Sequence, residues 1–182
     1  PLSTTRYGPV DYWEIVEDLD SDLTQPHLYE ERHSYLRPGF NLDMDGTRRL
    51  LWWESMAGGM GGFFGFYSSS PYPYPNPEQL RTHYTFWHTK NRFLINMQRA
   101  NELSADSNTY VLKSGTNNYI FYRENASSIH MNLSSMVGVQ PAVAVDTKLS
   151  YAEINIGPLA PIDQIWTAPY VSDWVIVVGD FN

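Results

Sequence analysis

Cysteine is absent from the 182 residues, which excludes disulfides, thiolate metal sites and a cysteine nucleophile together. That absence does not fix a compartment, since secreted bacterial enzymes often lack cysteine too. Basic residues are scarce: 12 Lys and Arg stand against 20 Asp and Glu, for a formal net charge of -8. The acids are scattered rather than blocked, and phosphate recognition needs concentrated Lys and Arg, so no nucleic-acid partner is expected. No apolar run approaches the roughly 20 residues that span a bilayer, and no signal-peptide pattern opens the chain, so no membrane association is expected. The first residue is Pro1 and not Met, which leads us to expect a processed, trimmed or partial chain.

What is present is apolar and aromatic. Hydrophobic residues make up 42% and aromatics 15%, so a packed core is expected and disorder is not. The 13 Tyr, 8 Phe and 6 Trp exceed what a core of this size usually needs. Flat rings stack on the C–H faces of sugars, which makes carbohydrate a reasonable first ligand class, although most of these rings will simply fill the core.

Polar chemistry is densest in the run Gln25-Pro-His-Leu-Tyr-Glu-Glu-Arg-His-Ser-Tyr35. A short extended segment ends there in two carboxylates, a guanidinium, an imidazole and a phenol. Such a cluster at a strand end suits an active site, because rigid backbone aims a carboxylate into a cleft; the alternative is a solvated loop. Glu30 and Glu31 are not themselves a catalytic pair, since neighbours on an extended strand point to opposite faces.

The two halves of the chain have different patterns. Residues 1–103 mix helix and strand signals, residues 104–182 show almost only strand signals, and the boundary is expected near Asn101 to Asn108. Asp11–Asp20 carries apolar residues at helical spacing, His27–Glu31 is expected as a strand, and Pro38-Gly39 as a turn. Arg48–Ala57 is expected as a helix capped by Asp45 or Thr47 and ended by Gly58-Gly59. Met60–Tyr67, punctuated by glycine, is expected as a tightly packed strand. Pro77 after Asn76 opens a long helix expected to run from Glu78 to about Leu94 or Arg99. This alternation is the pattern of a parallel α/β fold. Beyond it, seven short strands are expected at 109–114, 119–123, 129–133, 142–146, 151–156, 164–167 and 174–178. They predict a small antiparallel β-sandwich.

Pro26, with Glu31 following at a strand end, resembles the seventh strand of the (β/α)8-barrel glycoside hydrolases of the cellulase and β-mannanase type. The run Thr47-Arg-Arg-Leu-Leu-Trp-Trp-Glu-Ser-Met-Ala-Gly-Gly-Met-Gly-Gly62 is similar to the seventh helix and eighth strand of a bacterial subgroup. That subgroup carries a C-terminal β-sandwich labelled collagen-binding, and Trp166-Thr-Ala-Pro-Tyr170 with Asp173-Trp-Val-Ile-Val-Val178 resembles its close. The resemblance implies the last βα units of a TIM-type barrel followed by the sandwich, in a secreted or periplasmic bacterial enzyme of polysaccharide degradation without a cofactor or metal. It implies a retaining glycoside hydrolase acting on a poly- or oligosaccharide, with Glu31 as nucleophile and Glu30 as a supporting or alternative acid. Retention requires a second carboxyl about 5 Å away as acid/base, which the family draws from its fourth strand and which has no counterpart here. With about two of eight βα units, the chain is expected to be inactive alone and to associate with an N-terminal remainder on another chain or segment.

Further candidates surround Glu31. His33 and Tyr35 could contact sugar hydroxyls or orient the nucleophile, or only pack the loop; Arg32 and Arg37 could hold a carboxylate or pair with a neighbouring acid. Phe64, Phe66 and Tyr67 end the expected second strand, where a barrel presents its mouth and a ring could carry a sugar. Trp52 and Trp53 point about 100° apart on a helix and are expected to be core. His83 and His88 have the wrong spacing for a metal pair, and Asp43 and Asp45 lack the EF-hand pattern. The alternative function is a non-catalytic carbohydrate-binding or structural protein, in which the α/β part is a degenerate scaffold and the sandwich performs recognition.

Overall fold

The computed structural model describes residues 11–22, 24, 44–59, 76–90, 92 and 97–181. Contacts divide the chain into two compact units, Pro1–Leu80 and Arg81–Asn182. The expected strands at 27–31 and 60–67 lie outside the described residues.

In the first unit, α1 spans Tyr12–Ser21. The Asp11 side chain accepts from the backbone N–H groups of Trp13 and Glu14 at 2.8 and 3.1 Å, satisfying two donors that the helix start leaves open. Tyr12 and Ile15, one turn apart, are buried, whereas Trp13 is 55% exposed. The Tyr12 hydroxyl donates to the Met56 carbonyl at 3.5 Å, which ties α1 to α2, Met44–Ala57. Because α2 already starts at Met44, Asp45 and Thr47 lie inside its first turn and neither is the expected cap. Asp45 instead pairs with Arg48 one turn on, and the buried Arg48 also donates to Gln79 Oε1 at 2.9 Å. The end of α2 follows the sequence. Gly58, at φ +97, donates to the Ser55 carbonyl, and Gly59 donates to the Glu54 carbonyl. These are the two backbone bonds of a Schellman cap, whose left-handed residue favours glycine.

Helix α3, Pro77–Tyr84, opens at the expected proline but stops far short of Leu94. It widens into a π-helical turn over Thr85–Thr89, and Arg92 N–H donates to the Trp87 carbonyl at 3.1 Å. Every residue of Tyr84–Thr89 is ring-bearing or β-branched, and that crowding opposes a tight α-turn. Gln98–Arg99, the far end of the expected helix, is strand β1.

The second unit carries one antiparallel sheet, in the order β1-β2-β3-β6-β4-β5. Its other strands are β2 Thr109–Ser114, β3 Asn118–Asn132, β4 Ala142–Asp146, β5 Ile154–Asn155 and β6 Asp163–Val178. The seven short strands expected from the sequence are therefore redistributed. The pairs at 119–123 with 129–133 and at 164–167 with 174–178 are each one long strand, and 151–156 shrinks to two residues. What the sequence presents as turns are bulges. Arg123 faces Trp174, Ala126 faces Ser172 and Ser128 faces Thr167, so the register slips twice within the β3–β6 ladder. Asn125 takes the left-handed conformation, φ 46, at the first slip, and Pro169, which has no N–H to give, sits in the second.

These bulges are fastened by buried polar groups. Asn125 N–H donates to Asp173 Oδ1 at 2.8 Å, Thr147 donates to the Asp173 carbonyl through both its N–H and its hydroxyl, and Ser172 Oγ donates to Asp146 Oδ1 at 2.9 Å. Lys148 Nζ stands 3.2 Å from the buried Asp173 carboxylate, supplying the charge partner that such a group needs. A single core then collects Tyr119, Phe121, Ile129, Met131, Trp174 and Ile176 from both sides of the bulges. Trp166 packs edge-on to Trp174 at 5.3 Å. The alternate residues Leu112, Ile120, Tyr122, Val145, Val175 and Val177 are also buried, so the central strands are covered on both faces.

Beyond β6, Gly179 adopts φ +103 and its N–H donates to the Pro141 carbonyl at 2.9 Å. A Cβ there would overlap the Asn117 carbonyl. Gly179→Ala is expected to lower stability by about 2–3 kcal/mol; urea unfolding of the two proteins measures this as a lower midpoint at an unchanged slope.

Candidate functional site

The residues singled out in sequence for chemistry, Glu30, Glu31, Arg32, His33, Tyr35, Phe66 and Tyr67, lie outside the described residues, as do Arg37, Asp43 and Phe64. Of the motif that follows them, the helix and its glycine cap are described. Trp52 is fully buried and Trp53 half-buried. A Cβ on Gly59 would come 2.8 Å from Glu54 Cγ, so the second glycine of the cap leaves room for a buried glutamate. His83 is buried and His88 is exposed, stacked on Tyr84 at 4.7 Å. Among the described residues no group of three or more His, Asp or Glu is placed to hold a metal ion.

A different cluster is assembled within the sheet-bearing unit. A cavity of about 200 Å³ opens where β4 begins and β6 ends, lined by Lys90, Arg92, Val143, Glu153, Val177 and Phe181 among others. The π-helical turn delivers the cations: Lys90 follows it directly, and Arg92, two residues further on and almost fully buried, lays its guanidinium over the Phe86 ring at 4.6 Å. From there it donates to Tyr151 Oη at 3.0 Å and to Glu153 Oε1 at 2.7 Å. Tyr151 donates to the same Glu153 oxygen at 2.5 Å, and Lys90 Nζ lies 3.6 Å from it. Tyr151 and Glu153 are two apart just before β5 and both bond Arg92; a spacing of two is the one that puts side chains on the same side of an extended chain. That spacing is the one signal that could have found them in sequence, but nothing local points to Arg92, which lies 61 residues away in the chain.

The electrostatics follow from these bonds. Burial raises the Tyr151 phenol, and its bond to the Glu153 carboxylate raises it further, from 10.0 to about 12. Burial also pushes the Glu153 carboxyl upward. The hydrogen bonds from Tyr151 and Arg92 and the charges of Arg92 and Lys90 together outweigh that effect and hold it below its ordinary value. Glu153 is therefore a fixed carboxylate at neutral pH, with a neutral phenol and a guanidinium beside it.

One solved structure, described as a glycoside hydrolase, matches 97% of this chain with a TM-score of 0.69 at 15% identity, and 49% of its own length is covered. The fold is similar to half of a glycoside hydrolase. A glycoside hydrolase family 5 protein from Bacteroides vulgatus matches 93% of this chain over 45% of its own length, with a TM-score of 0.68 at 15% identity. The chain thus spans about half the length of the glycoside hydrolases whose fold it shares. No protein-family model and no curated protein matches the sequence.

The Tyr151 phenol carries a pH prediction. Its pKa is higher in the folded state, so its contribution to stability is complete below pH 10 and is lost as pH rises toward 12. Difference titration at 295 nm between the native protein and Tyr151→Phe should show one phenol ionising near 12. Tyr151→Phe should also remove part of the alkaline loss of stability.

Proposed function

We propose that this chain is part of a retaining glycoside hydrolase acting on a poly- or oligosaccharide. In this reading it contributes the last βα units of a (β/α)8 barrel and a C-terminal β-sheet accessory domain. The observation that carries the reading is the fold match, which takes in nearly all of this chain but only about half of each glycoside hydrolase. The α2 helix with its two-glycine cap supports it, because this is the segment whose sequence resembles the seventh helix and the approach to the eighth strand of such barrels.

Glu31 is then the nucleophile, at the end of the seventh strand and on the barrel face where substrate binds. Its attack on the anomeric carbon forms a glycosyl-enzyme ester, and a second carboxyl protonates the departing oxygen and later activates water. That acid/base belongs to the remainder of the barrel, which lies on another segment or chain. Glu30, its neighbour in sequence, takes the supporting role in this reading, since adjacent residues on an extended strand face opposite sides. In the same reading Arg32, His33 and Tyr35, which follow Glu31 in sequence, offer polar groups to sugar hydroxyls, and Phe66 and Tyr67 offer rings to sugar faces. No cofactor or metal enters this chemistry, and a secreted or periplasmic setting suits a polysaccharide substrate.

The test uses the full enzyme. A panel of 2-deoxy-2-fluoro glycosides with good leaving groups should trap the covalent intermediate, and peptide mass mapping should find the label on Glu31. Glu31→Gln should lower kcat by about 10³-fold or more, the scale on which loss of a catalytic side chain is read in other hydrolases. A label on another residue, or full turnover by Glu31→Gln, would remove Glu31 from the role.

A further inference from the structure

We propose that the cavity between Lys90, Arg92, Glu153 and the β4–β6 sheet end binds a neutral polyhydroxylated ligand, a single sugar ring, at a site built wholly within the sheet-bearing unit. This goes beyond the hydrolase reading, since it uses no residue before Lys90.

The acceptor comes first. Among the described residues, the hydrogen bonds to Glu153 from Arg92 and Tyr151 and the ion pair with Lys90 are all made at the one oxygen Oε1. The carboxylate is thereby locked in orientation while Oε2 keeps its lone pairs, and Glu153 lines the cavity. The donor is Lys90, which is 43% exposed and stands 3.6 Å from Glu153. That separation is an ion pair too long for a good hydrogen bond, so the ammonium retains donors for a ligand.

Charge and shape then select the ligand class. Among the described lining residues two cations, Lys90 and Arg92, stand with two acids, Glu153 and Asp180, and such a mixed lining gives neither an anion nor a cation a clear advantage. A purely apolar guest would strip water from the Glu153 and Lys90 charges and give nothing back. A ring with vicinal hydroxyls offers donors to Glu153 Oε2 and acceptors to Lys90, while its C–H face lies on Val143, Val177 and Phe181. The volume of about 200 Å³ lies below the roughly 300–1,000 Å³ of pockets for larger ligands, which limits the guest to about one ring.

Saturation-transfer NMR and calorimetry on the full chain test this with glucose, mannose and galactose as neutral probes, and with glucosamine and glucuronate as charged ones. At least one neutral hexose should bind in the millimolar range, as its few atoms allow. Lys90→Met and Phe181→Ala should each raise its Kd at least fivefold while the melting temperature holds. Glu31→Gln should leave Kd unchanged, which separates this site from the proposed catalytic one. Three results would overturn the proposal: no neutral hexose binds, a charged sugar binds more tightly, or binding ignores both cavity variants yet responds to Glu31→Gln.

Discussion

The pairing of β3 with β6 is the constraint on which the sheet-bearing unit depends. Two strands of 15 and 16 residues would, if flat, expose one face along their whole length. Instead the ladder slips at Arg123–Ser128, and bulges of this kind bend a strand and raise its twist. Residues on both sides of the slips then share one core with Trp174. The cost falls on the backbone groups and acids at the slips, and Asp146, Asp173, Thr147 and Ser172 meet it by bonding to one another and to the bulged strand. Removing one of these partners would leave a buried polar group without its bond, a loss of about 1–3 kcal/mol.

The same construction places the cavity. Val143 faces Val177 across the β4–β6 ladder, and the chain beyond β6 turns at Gly179, against the Pro141 carbonyl. Across from them Arg92 enters from the π-helical turn and draws Tyr151 and Glu153 together. Segments distant in sequence therefore meet at one site, with a carboxylate held by its described neighbours Arg92, Tyr151 and Lys90. A partly buried ion pair of this kind is weak evidence for stability, but it fixes side-chain geometry, which is what a binding site needs.

Much of the helical start and stop chemistry was legible in the sequence. The apolar stripe over 11–20, Gly58-Gly59 after a helix, and Pro77 after Asn76 each act locally, so each could be read locally, whereas the cap expected at Asp45 or Thr47 falls inside α2 and the cap at Asp11 was not read. The π-helical turn was not, because Thr85–Thr89 continues the apolar content of α3 while changing its backbone. Nor was the union of short strands: 124–128 and 168–173, which hold Asn125 and Pro169, read as gaps between strands, and only the pairing of β3 with β6 decides that they are bulges. The Arg92, Tyr151 and Glu153 cluster escaped for a related reason, since its members are brought together by tertiary structure alone. The catalytic residues proposed from sequence, Glu31 foremost, lie outside the described residues, and their proposed roles rest on the motif resemblance.

Stereochemistry is where those roles can be judged most directly. A nucleophile at Glu31 that forms a glycosyl ester obliges two displacements at the anomeric carbon, hence net retention. Proton NMR of the first-formed product of the full enzyme, recorded before mutarotation, should show the anomeric configuration of the substrate. An inverted first product would contradict the account.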